Sequence, residues 1–390
     1  MRPAEARDEI DAWIRQLAAI ERPSASLGER RAAEWIVRRL ATAGFDARIE
    51  SEPAHGTHLP FVLPSVLALL AGRLRSRPAA AVAALTAVAA IVDELEGKKR
   101  VLRRALARRQ THNVVCEIGD AQAERTLVFV AHHDAARAWD ALFGRLVSAP
   151  PPAALGGRPL PIAGTLAYAP MLVAAGIVTR RRALRGVGMA ACALIAALFA
   201  DIARRPPVPG ANDNAAAVAV LLGLAGDLAQ APPRSTRVLL VSTGSEETML
   251  EGMDAFLRRH RDELDAERSL VVCLDQLGWD ELVVRESEGV LWQRRSDPAD
   301  LELVLEAARG ARVPLRAAPP FVSPSDGLAA RWMGLRTVFV GSVAADGGYP
   351  HYHRPSDLPE NVNLDTVVAA REVCAGLIRY GDEFGPAGRS

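Results

Sequence analysis

The sequence predicts an α/β layered domain, and three observations carry that expectation. Short β-prone runs recur along the chain: DARIE, NVVCEI, TLVFVA, RVLLVST, LVVCLD, ELVVRE and TVFVGS. Most are too continuously apolar to have a solvated face. Helical patterns near 214–229, 250–264, 298–310 and 363–379 fall between them, and alternation of this kind marks helices packed on a sheet.

The elements follow in order. Two amphipathic helices are expected at about residues 4–20 and 27–43, the second carrying Ala32, Ala33, Ile36, Val37, Leu40 and Ala41 at helical spacing. AGF ends it and leads into DARIE. Two apolar regions then interrupt the rhythm of a single domain spanning 1–390. Residues 55–105 hold LPFVLPSVLALLAG and PAAAVAALTAVAAIV around the basic turn RLRSR, followed by GKKRVLRRALARR. Residues 141–209 begin with SAPPP and carry two apolar segments around TRRRALRG. Each insertion reads as an apolar helical hairpin.

Only the uncharged stretch between Arg158 and Arg180 exceeds the roughly 18 residues expected of a membrane-crossing helix. The stretches bounded by His58 and Arg73, Arg77 and Asp93, and Arg185 and Asp201 are shorter. The hairpins either pack on each other or contact a membrane, with both basic turns on one side. If they stay in water, they offer a face for a homodimer.

Composition excludes other classes. Lys and Arg number 47 against 46 Asp and Glu, so no global field is present to hold nucleic acid. Cys116, Cys192, Cys273 and Cys374 are scattered and form no C-x-x-C pair, which argues against a disulfide framework or a thiolate metal site. The opening MRPAEARDEIDAWIRQLAAI is charged and helix-patterned, so no cleavable signal peptide is expected and the location is cytoplasmic or membrane-associated. No G-x-S-x-G elbow and no phosphate-binding G-x-x-x-x-G-K-[ST] loop occurs.

The chemistry lies in five short stretches. LVFVAHHDAA ends an apolar run in His132, His133 and Asp134; GANDNAAAV places Asp213 at a helix start; LVSTGSEETMLEG ends a strand in Glu246 and Glu247. VVCLDQLG ends another at Asp275, and YPHYHRPSDLPENVN offers His351 and His353. Singly each has a plain structural reading: Asp213 as a helix cap, the glutamates as first-turn acids, the histidines as loop residues. Jointly they have a better one. His132, Glu247 and Asp275 all follow β-like runs, and the carboxyl ends of strands in an open α/β sheet line one rim where ligands are held. Nitrogen and oxygen donors without thiolate suit zinc or a similar divalent ion.

Charge favours two ions. Two divalent cations set against Asp213, Glu247 and Asp275, with neutral His132 and His353, leave one positive charge to favour hydroxide. Metals about 3.5–4 Å apart need a shared carboxylate, and Asp213, flanked by asparagines in a tight turn, is placed to bridge. Glu246, beside a ligand but not needed as one, is the candidate general base.

The set HHD, NDN, SEE, LDQLG and YHRPSD resembles metallopeptidase family 28, the co-catalytic zinc exopeptidases that include bacterial leucyl aminopeptidases, aminopeptidase Y and glutamate carboxypeptidase. The resemblance extends to GERRAAEWIVRRLATAGF, EETMLEGMDAFL and SDGLAARWMGL. It implies a three-layer α/β/α sandwich around a central mixed sheet. It implies two Zn2+ ions, one on His132 and Asp275, the other on Glu247 and His353, with Asp213 between them and Glu246 as base. Asp134 matches the acid expected to orient the first histidine, and the spacing to Asp357 selects His353 over His351. The long chain between His132 and Asp213 departs from the family pattern.

The function so implied is a dinuclear zinc aminopeptidase acting on peptides. A carboxypeptidase, a single-metal glutaminyl cyclase and a non-catalytic membrane-associated scaffold on the peptidase fold are the alternatives.

Overall fold

The computed structural model describes residues 3–97, 99–139, 144, 149–150 and 162–383, so most of SAPPP and the Arg158 end of the long uncharged stretch lie outside the described residues. Helices α1 (Pro3–Ala18) and α2 (Leu27–Thr42) open the chain. Ser26 caps α2, its hydroxyl accepting from the N–H groups of Gly28 and Glu29, and Ala32, Ala33, Ile36 and Leu40 form the buried stripe that the spacing predicts. Strand β1 (Ala47–Ala54) follows, then α3 (Leu59–Ala71), α4 (Arg77–Glu96) and the short α5 (Val101–Leu106). Next come β2 (Arg109–Ile118), β3 (Arg125–His132), α6 (Thr165–Val178) and α7 (Arg182–Ile202).

The remainder alternates: α8 (Ala216–Gln230), β4 (Thr236–Thr243), α9 (Glu251–Arg259), β5 (Ser269–Asp275) and β6 (Glu281–Arg285). Short β7 (Ser287–Glu288) and β8 (Arg294–Arg295) pair with each other before α10 (Pro298–Ala311) and β9 (Arg316–Ala318). Helix α11 (Asp326–Trp332), β10 (Arg336–Val343) and α12 (Leu364–Glu383) complete the order.

Eight strands form one mixed sheet in the order β1-β2-β4-β3-β5-β10-β6-β9. Its centre, β4, β3, β5 and β10, is parallel, while β1, β2 and β6 join antiparallel. Strand side chains alternate between two cores, as the period of two requires. Leu127 and Phe129 of β3 pack with α1, α2, α8, α10 and α12, whereas Val128 and Val130 pack with α9, α11 and the bases of the apolar helices. This is the three-layer sandwich the resemblance implies. Strand β3 has β4 on one side and β5 on the other, so succession reverses there and the carboxyl ends of all three strands border one crevice.

The apolar insertions fold as paired helices, α3 with α4 and α6 with α7, and the four pack together around Ala68, Ala84, Ala87, Val173 and Cys192. Small residues let the backbones approach: a Cβ at Gly188 would stand 2.6 Å from the Val173 nitrogen. Helices α4 and α7 reach 20 and 21 residues because they continue through the charged residues at their ends, which the count of uncharged residues leaves out.

Several elements escape the periodicity. Helices α5 and α11, the β7–β8 ladder and β9 are all too short to show a pattern, and α9 stops at Arg259, short of 264. The basic run after the first hairpin is also partly internal. Arg100 and Arg103 are buried and pair with Glu94, while Arg103 also reaches Glu251 at 2.7 Å. These two arginines tie the four-helix unit to α9.

Candidate metal centre

Three strand ends and two loops meet in the crevice. His132 is the last residue of β3 and Asp275 the last of β5; Glu246 and Glu247 follow β4 in a turn. Asp213 lies in the kinked, non-helical part of the turn Ala211–Ala215 before α8, and His353 in the loop between β10 and α12. Gly244 and Gly252 let the Glu246–Glu247 turn close on α9. A Cβ on Gly252 would stand 2.1 Å from the Gly244 carbonyl oxygen and 2.5 Å from Asn113 Oδ1. Gly252→Ala should therefore displace this turn, destabilising the protein by about 1–3 kcal/mol. An unchanged midpoint in urea would contradict the close approach.

The distances have the scale of a coordination sphere. Donors around a tetrahedral zinc with bonds of about 2.0–2.1 Å stand roughly 3.3 Å apart. His132 Nε2 lies 3.2 Å from Asp213 Oδ1 and 3.7 Å from Asp275 Oδ1. His353 Nε2 lies 3.2 Å from Asp213 Oδ2 and 3.0 Å from Glu247 Oε2. Asp213 thus presents one oxygen to each histidine, and its two sides define the sets His132–Asp213–Asp275 and Asp213–Glu247–His353. A third set joins His132, Glu246 and Glu247. Among the described residues, buried Glu247 Oε1 has no hydrogen-bond partner, Asp213 Oδ2 has only His353 Nε2 at 3.2 Å, and Asp275 Oδ1 has only His132 Nε2 at 3.7 Å. Buried carboxylate oxygens are costly unless a cation or donor meets them, so these residues fit a bound divalent metal.

Electrostatics express the same crowding of acids. Burial works against an imidazolium at His353, but Glu247 and Asp213 outweigh it and raise the pKa to about 10. At His132 burial is likewise overcome, chiefly by the charge of Glu246 and bonds to Asp134, Asp213 and Asp275. Burial pushes Glu247 up to about 7 against the pull of His353, and lifts Glu246 well above the usual carboxylate range. Asp213 goes the other way: bonds to both histidines outweigh its burial and hold it low. A site that draws protons onto two histidines offers the same attraction to metal cations.

Residues behind the centre fix its geometry. Asp134 is fully buried, with Oδ1 3.5 Å from His132 Nδ1. It also accepts from Ser24 Oγ at 2.6 Å and from the backbone N–H groups of Glu246 and Glu247 at 3.0 and 3.3 Å. One carboxylate therefore positions a histidine and the turn bearing two glutamates. Asp134→Asn is expected to weaken zinc binding or turnover by about 10–100-fold; wild-type values in a metal titration and a rate assay would refute this.

Asp357 acts on the Asp213 turn. Its oxygens accept from the backbone N–H groups of Asn212 and Asp213 at 2.8 and 3.1 Å, so it holds the Asp213 turn. The flanking asparagines lock that turn to the end of β5: Asn212 Oδ1 accepts from the Gly278 N–H, and Asn214 Nδ2 donates to the Leu274 carbonyl. His351 turns away, bonded to Ser356 Oγ at 2.9 Å and stacked on Trp279. His133 points behind the strand, with Nδ1 on Ser242 Oγ.

Sequence reasoning missed Ser24, Glu29 and Asp326. Glu29 accepts from the Ser245 N–H and hydroxyl at 2.9 and 2.8 Å, supporting the glutamate turn from α2. Asp326, 2% exposed at the start of α11, accepts from the Thr243 hydroxyl. The SDG of the α11 stretch was the one available signal for it. Aromatic rings line the His353 side: Trp139 meets it edge-on at 4.3 Å between centroids and Tyr352 stacks at 3.9 Å.

The model of peptidase family M28 matches residues 196–378, just under half of the chain, and supports a metallopeptidase. The matched stretch takes in Asp213, Glu246, Glu247, Asp275 and His353, and the fold brings His132 and Asp134 to them from outside it. Among solved structures, LapB from Legionella pneumophila is 14% identical with a TM-score of 0.57, the alignment covering 97% of this chain and 72% of that one. A glutaminyl cyclase from Porphyromonas gingivalis is 12% identical with a TM-score of 0.54, covering 97% and 98%. A Zn-dependent exopeptidase from Parabacteroides distasonis is 11% identical with a TM-score of 0.55, covering 95% and 97%. At these identities the likeness is one of fold. No curated protein matches the sequence.

Proposed function

We propose that this metallopeptidase is a dinuclear zinc aminopeptidase, removing single residues from the N-terminus of peptides. The observation that carries the reading is the place of Asp213, one oxygen toward His132 and the other toward His353. In this assignment His132 and Asp275 hold one ion, Glu247 and His353 the other, and Asp213 is shared. When bound, zinc supplies Lewis acidity and brings the pKa of water toward about 7.

The chain's own groups do the rest. Glu246, 8% exposed and not needed as a ligand, accepts a proton from the attacking water on its carboxylate and returns it to the departing amine. Asp134 keeps His132 in one tautomer, with Nδ1 turned inward and Nε2 toward the crevice. Glu246 and Asp326, acids at the centre beyond the proposed ligands, favour an entering ammonium over a carboxylate.

The test is a hydrolysis panel on zinc-loaded protein, using matched peptides with free and acetylated N-termini. Release of single N-terminal residues from the free peptides alone is expected. Cleavage from the carboxyl end, or cyclisation of N-terminal glutamine without hydrolysis, would replace this reading with a carboxypeptidase or a cyclase.

A further inference from the structure

We propose that the four-helix unit of α3, α4, α6 and α7 is embedded in a lipid bilayer with anionic headgroups, its arginine-rich end lying among those headgroups. Helices α4 and α7 have mean hydropathies of 1.7 and 1.9 over their best 18-residue windows, with 33% and 17% of those windows buried. Their uncharged stretches, 78–92 and 186–200, are each about 22 Å long, which fits within the hydrocarbon core of a bilayer.

The outward faces carry apolar groups where a water-facing helix carries charge. Val82, Leu85, Val187 and Leu194 are 66, 53, 60 and 71% exposed. No charged residue lies between Arg77 and Asp93 on α4 or between Arg185 and Asp201 on α7. The cluster that joins the four helices uses mostly alanine and other small side chains inward, leaving larger aliphatic ones outside. That distribution suits a surrounding solvent of hydrocarbon.

Charge gives the unit a direction. The Arg77 guanidinium donates to the carbonyls of Ile177 and Val178 at 3.3 and 2.7 Å, clasping the two hairpin turns together. Arg73, Arg75, Arg77, Arg180, Arg181 and Arg182 consequently form one exposed rim at the end of the unit. The opposite end is fastened to the peptidase layers, where Phe61, Ile91 and Leu95 enter the core shared with α9 and α11. A basic rim beyond an apolar belt complements a layer of anionic phosphates, and long arginine side chains reach such a layer from the edge of the hydrocarbon.

The experiment is flotation of the full chain with vesicles of phosphatidylcholine, with and without phosphatidylglycerol. The wild type should float, more completely with phosphatidylglycerol, and stay bound in high salt. Val82→Gln, Leu85→Gln, Val187→Gln and Leu194→Gln combined should reduce flotation at least about tenfold while leaving cleavage of soluble peptides unchanged. Hydrogen exchange on the wild type reads the same question without relying on the variant: vesicles should protect α4 and α7. A wild type that stays at the bottom of the gradient would overturn the proposal. So would release by salt alone, or a dimer in lipid-free buffer that covers these residues and leaves no vesicle binding.

Discussion

Glu246→Gln is expected to fold, keep its metal and turn over peptide substrates about 10²–10⁴-fold more slowly than the wild type. The amide preserves the shape of the side chain but cannot accept and return a proton at that oxygen. Its effect should fall on kcat, because the lost function is exercised in the transition state. Three features make the substitution clean. The Glu246 backbone is held by Asp134 through its N–H, which the variant retains. The carboxylate lies 3.9 Å from His132 Nε2, farther than Asp213 or Asp275. Glu247, one residue on, has the closer contact with His353 at 3.0 Å. Metal analysis and steady-state rates on the same preparation decide the matter. Near-normal turnover removes Glu246 from the proton transfer, whereas loss of an ion would move it into the ligand set.

Asp213→Ala is expected to abolish metal pairing, dropping the bound zinc from two equivalents to one or fewer and activity with it. The reason is topological: among the described residues, Asp213 is the one acid whose two oxygens face different histidines. Asp275 faces His132 and Glu247 faces His353. Asp275→Ala should consequently keep the His353 half and retain about one equivalent. Native mass spectrometry of the two variants separates these outcomes, and two zinc equivalents on Asp213→Ala would end the bridging assignment. Circular dichroism is the necessary control, since the Asp213 turn is bonded to Asp357 and to the end of β5.

Much of this centre is legible in the sequence because its principal side chains sit where local patterns break. His132, Glu247 and Asp275 each follow an apolar run, and polar groups in such places have few structural uses. His353 needed the family spacing; the residues alone offered His351 equally, and only the fold turns His351 toward Ser356. The supporting residues are illegible for a different reason. Ser24 acts on the Asp134 carboxylate, and Glu29 and Asp357 on backbone N–H groups, all more than a hundred residues distant, and nothing local in a serine or an acid announces such a partner. Arg100 and Arg103 mislead in the opposite sense: a basic run implies a solvated face, yet the acids that draw these two inside come from α4 and α9. The fold class survives such errors because it rests on alternation over the whole chain.

The groups proposed to bind metal come from widely separated stretches, beginning at residue 132 and finishing at residue 353. A chain synthesised from its amino end therefore possesses the β3 histidine long before the second one exists, and no fragment ending short of His353 holds both. Contacts of such long sequence separation also form late in folding. Hydrolytic competence is in this way deferred by the order of the polypeptide itself: a copy ending short of His353 lacks one half of the proposed centre.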